Sequence, residues 1–100
     1  MSSVPAPCWR SIASDAIVWH EWGEEFVVRN ERSGSTHLLG ALAGTVLQVL
    51  LEAGHSLSIA DIATRLDNQL ATPADSTLLA AIHEVLVEFD RLELAEQVRQ

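Results

Sequence analysis

One hundred residues give room for one domain, and 48% apolar side chains are enough for one core. Fourteen acids against six arginines leave a net charge of −8, which repels nucleic acid and anionic membranes and favours a basic partner. A single cysteine, Cys8, excludes an internal disulfide, no apolar run nears the ~18–20 residues of a membrane span, and Met1–Pro7 lacks a signal-peptide pattern, so a cytoplasmic protein is expected.

Residues 1–15 are rich in Ser, Pro and Ala without periodicity and read as a flexible N-terminal arm, with Trp9 covering an edge of the core. The domain proper is expected over 16–100. Ala16 to Trp22 and Glu25 to Asn30 are rich in β-branched and aromatic residues and join through Gly23-Glu24, as a hairpin would. A second turn over Asn30–Ser35 leads to a short third strand, Thr36 to Leu39. Side chains alternate along a strand, so Phe26 and Val28 share a face and Arg29 marks the solvated one. Ile17 and Trp19 are then the core-facing residues of the first strand, and Leu38 is assigned to the core on the third. Trp19 and Trp22 point to opposite faces. Val18, Trp22 and Val27 therefore form a candidate interface on the outer face.

Beyond Leu39 the period becomes helical. Ala41 to Glu52 is polar only at Thr45, Gln48 and Glu52, a narrow stripe that predicts a central helix ended by Gly54. Ser58 caps a second helix, with Asp61 at capping-box spacing and Ile59, Ile62, Ala63 and Leu66 on the buried side. Thr72-Pro73 is expected to open a third helix. Its apolar stripe is Leu78, Leu79, Ile82, Val85, Leu86, Phe89 and Leu92, opposite Thr77, Glu84, Glu88 and Arg91. From Leu94 the chain reads as a short polar tail. The order predicts an α+β, winged-helix-like fold: a three-stranded antiparallel sheet followed by three helices.

No catalytic or metal site is expected. His20-Glu21 and His83-Glu84 are adjacent pairs, not the i, i+4 spacing that aims two ligands at one ion, and His37 and His55 lie beside the edge strand and in a turn. No serine sits in a Gly-x-Ser-x-Gly elbow, and no glycine-rich phosphate loop exists, so no cofactor is expected. A winged-helix DNA reader needs basic and amide side chains on its recognition helix. Ser58 to Leu66 offers only Arg65, and the third helix offers Arg91 among Glu84, Glu88 and Asp90. Neither nucleic acid nor membrane is expected as a partner.

Two stretches carry a family likeness: Val18-Trp19-His20-Glu21-Trp22-Gly23-Glu24-Glu25-Phe26-Val27-Val28, and Ser33-Gly34-Ser35-Thr36-His37-Leu38-Leu39. With Ala43, Val46-Leu47 and Ile59–Leu66 in the same order, they resemble PqqD-like proteins over about residues 16–94. The likeness is greatest to the short subgroup of peptide chaperones of the HPr-rel-A system. Where Gly40-Ala41 stands, similar proteins carry asparagine followed by proline or serine. The resemblance implies a non-catalytic RiPP recognition element, which binds the leader of a ribosomally made precursor peptide and presents it to a modifying enzyme. The leader would add as a strand beside Thr36, His37, Leu38 and Leu39 and lie against Leu79, Ile82, His83 and Leu86 of the third helix, although Leu38, Ile82 and Leu86 read equally well as core. The alternative is a structural subunit that forms a homodimer, or docks an enzyme, through the outer sheet face.

Overall fold

The computed structural model describes residues 7–12, 14–23, 25–70 and 75–98. Its elements run β1 (Cys8–Ser11), a 3-10 turn (Ser14–Ala16), β2 (Ile17–Trp22), β3 (Glu25–Asn30), β4 (Ser35–Leu39), α1 (Ala41–Ala53), β5 (Leu57–Ser58), α2 (Ile59–Leu70), α3 (Ser76–Arg91) and β6 (Ala95–Val98). The fold is α+β: antiparallel β2-β3-β4, three helices, and a second antiparallel sheet in the order β5-β1-β6. This arrangement is compatible with a winged-helix-like fold.

The second sheet corrects the sequence reading at both ends. Cys8–Ser11, taken as part of a loose arm, is a strand lying between β5 and β6, with Trp9 only 4% exposed. Beyond Leu94, read as a short polar tail, Ala95–Val98 form β6 against β1. Leu94 and Ala95 are buried, and Arg10 pairs with Glu96 at 2.7 Å. Each strand here is too short to show alternation, and each depends on a partner distant in sequence.

In the first sheet the register pairs Trp19 with Val28, Val28 with His37 and Phe26 with Leu39. Ile17, Val28 and Leu39 are buried on the helix side, and Trp19 stacks on Phe26 with ring centroids 5.3 Å apart. A Cβ on Gly44 would run into the Phe26 ring, so a glycine here is what lets the sheet approach α1. The core assignment of Leu38 is inverted: Leu38 is 62% exposed on the outer face, while His37 is half-buried on the inner one. A strand's parity admits only one of the two neighbouring leucines to the core, and the pairing with Phe26 selects Leu39.

The helices form for local reasons. Gly54, at φ 70°, ends α1. At α2 the capping box closes both ways: the Asp61 N–H donates to Ser58 Oγ at 3.1 Å, and the Ser58 N–H donates to Asp61 Oδ2 at 3.4 Å. The cap expected at Thr72-Pro73 lies outside the described residues. The observed α3 begins at Ser76 behind Asp75, whose Oδ1 accepts the Leu78 N–H at 2.9 Å. Val46, Leu47 and Leu50 of α1, Ile62 and Leu66 of α2, and Ile82, Leu86 and Phe89 of α3 meet in one core, all at most 1% exposed.

Candidate functional site

β4 pairs with β3 on one side and with no described strand on the other. Its free backbone groups follow from the ladder. The Glu31 N–H donates to the Ala16 carbonyl at 2.7 Å, making Ala16–Glu31 a hydrogen-bonded position of the β2–β3 ladder. Such positions alternate, so residues 25, 27 and 29 of β3 turn their backbone bonds to β2, and 26, 28 and 30 turn theirs to β4. Their partners Leu39, His37 and Ser35 are thereby engaged. The N–H and C=O groups of Thr36 and Leu38 point away from the sheet, available to another strand.

Beside this edge lies a groove of about 300 Å³ lined by Leu39, Leu42, Ala43, Ala81, Glu84, Val85, Glu88 and Phe89. The helix α3 residues on its wall, Ala81, Glu84, Val85 and Glu88, are spaced i, i+3, i+4 and i+7, one continuous face. The floor is apolar and the two glutamates are exposed, a carboxylate rim over a greasy floor. Both Arg91 donors that reach Glu88 bind it: Nε donates to Oε2 at 3.0 Å and Nη2 to Oε1. Those hydrogen bonds, aided by the Arg91 charge and the nearby His37 ring, hold the Glu88 carboxyl below the usual carboxylate range. His37 Nε2 is buried and has no hydrogen-bond partner among the described residues.

The residues expected to bind peptide are thus divided. Thr36 and Leu38 present free backbone groups, and Leu39 lines the groove. His37 faces inward, half-buried opposite Val28. Ile82 and Leu86 are fully buried core residues and cannot touch a ligand without repacking the interior. Leu79 is half-buried and His83 exposed, and at 100° per residue both lie on the flank of α3 turned away from the groove. Leu42, Ala43, Ala81, Glu84, Val85, Glu88 and Phe89 were missed. Of the outer-face residues, Val18 is 42% exposed and Val27, opposite Leu38, is half-buried. The side chain of Trp22 lies outside the described residues. Among those residues, no group of three His, Cys, Asp or Glu side chains could hold a metal, and no helix is long and apolar enough to cross a membrane.

An open sheet edge beside an apolar groove defines the geometry of a domain that can accept an extended chain. No family model matches the sequence, and no curated protein matches it. A solved structure with a similar fold is TbiB1 in complex with the TbiA(beta) leader peptide. It is 21% identical at a TM-score of 0.65, over 87% of this chain and 94% of that one.

Proposed function

We propose that this chain is a non-catalytic, cytoplasmic peptide chaperone. It binds the leader segment of a ribosomally synthesised precursor by strand addition at β4 and presents it to a modifying enzyme, as the PqqD-like resemblance implies. The observation that carries this reading is the free β4 edge opening onto the apolar groove between β4, α1 and α3. A fold shared with a protein solved in complex with a leader peptide supports it.

The energetics require both features together. Thr36 and Leu38 can exchange about four backbone hydrogen bonds with an added strand, worth roughly 2–6 kcal/mol net before the cost of ordering the peptide. Micromolar affinity needs about 8 kcal/mol. The remainder must come from apolar side chains entering the groove, at about 1.5–3 kcal/mol each when fully buried.

The test is a nuclear magnetic resonance titration with the synthetic leader of whichever precursor peptide co-purifies with the protein. Amide shifts at Thr36, Leu38, Ala81 and Val85 are expected. Shifts confined to Val18 and Val27 would replace this reading with a structural subunit that dimerises or docks an enzyme through its outer face.

A further inference from the structure

Resting on the strand-addition reading, we infer that the groove selects a leader carrying a large apolar side chain and, two residues away, a lysine or arginine that meets Glu84 and Glu88. The register supplies the spacing. An added strand would hydrogen-bond to Thr36 and Leu38, and its residues opposite those two would share their outward face. Its residues opposite His37 and Leu39 would point inward, toward α3. Those two positions lie two apart and meet different surroundings.

The position opposite Leu39 faces the groove floor of Leu42, Ala43, Val85 and Phe89, which accepts an apolar group. The position opposite His37, two residues along the same inward face, runs along the groove whose exposed rim is formed by Glu84 and Glu88. The groove lining includes two glutamates and no basic residue. Arg91 compensates Glu88 in part, but Glu84 has no ion-pair or hydrogen-bond partner among the described residues. An incoming carboxylate would add like charge to this rim, whereas an incoming cation fills it and extends its apolar stem along the groove. The net charge of −8 favours the same sign of partner at long range.

A displayed library of random linear peptides, selected on the full chain and in parallel on Thr36→Pro, separates this inference from the reading beneath it. The expected winners pair Leu, Ile, Phe or Met with Lys or Arg two positions away. Their affinity, measured by fluorescence anisotropy, should fall about two- to fivefold for each of Glu84→Gln and Glu88→Gln, and less steeply at high salt. Both substitutions are on exposed side chains and leave packing alone. Winners with the apolar residue but no basic preference, or with acidic residues at that spacing, overturn the charge selection and leave strand addition standing. No enrichment on the wild type over Thr36→Pro overturns both.

Discussion

Asn30 shows how much one side chain can organise. It is 1% exposed, its Nδ2 donates to the Glu93 carbonyl at 2.9 Å, and its Oδ1 accepts the Arg32 and Ser33 N–H groups at 2.9 and 3.3 Å. It thus shapes the β3–β4 turn and ties it to the segment after α3, where Glu93 holds a left-handed φ of 62°. Asn30→Asp keeps the size and the acceptor but sets an oxygen against the Glu93 carbonyl. Stability should fall by about 1–3 kcal/mol, read as a lower urea midpoint with an unchanged slope. Gly44 is the second critical residue. Alanine would improve helix propensity by up to ~1 kcal/mol, but its methyl group would displace the Phe26 ring from its stack on Trp19. Gly44→Ala is therefore expected to destabilise by about 1–3 kcal/mol, with a changed near-ultraviolet dichroism as the tryptophan environment shifts.

At the scale of elements, β4 carries the sharpest test. Thr36 has its N–H outward, so Thr36→Pro should leave stability within ~1 kcal/mol while weakening the proposed binding of a leader peptide in calorimetry. His37 bonds inward to Val28, so His37→Pro should cost about 1–3 kcal/mol in a thermal melt. Unchanged binding by a folded Thr36→Pro variant would remove β4 as the docking edge. The helices and the β2–β3–β4 sheet were legible in the sequence because each has its own period, turn or cap. The Phe26 and Val28 face was read from Arg29 alone. The parity of β4 was also written there, in the turn length: a four-residue loop over 31–34 pairs Asn30 with Ser35, and counting back pairs Phe26 with Leu39. The choice of Leu38 over Leu39 ignored that count. The groove face of α3 was harder, because Glu84 and Glu88 look solvated by composition, and only the position of β4 shows which flank of the stripe is left uncovered. β1 and β6 had no local signal at all. Asp75 caps the observed α3, and Asp75→Ala should cost about 1 kcal/mol.

For the molecule as a whole, the charge decides what stays away. No basic stripe runs along α2 or α3, so no retarded band is expected with duplex DNA at sub-micromolar protein and physiological salt. A shift that survives competitor DNA would contradict the charge argument. The pairing of β1 with β6 has a different kind of consequence, one in time. The Arg10–Glu96 contact spans 86 residues, against a four-residue loop between β3 and β4. Closing the longer loop costs roughly 2–3 kcal/mol more in chain entropy, unless the helices between have already drawn its ends together. The central sheet and helices should therefore assemble first, and the small sheet should close last and open first. In native-state hydrogen exchange the amides of β1 and β6 should exchange ahead of those of β3. With Trp9 as the only tryptophan left, fluorescence should register the final step of refolding, not the first collapse.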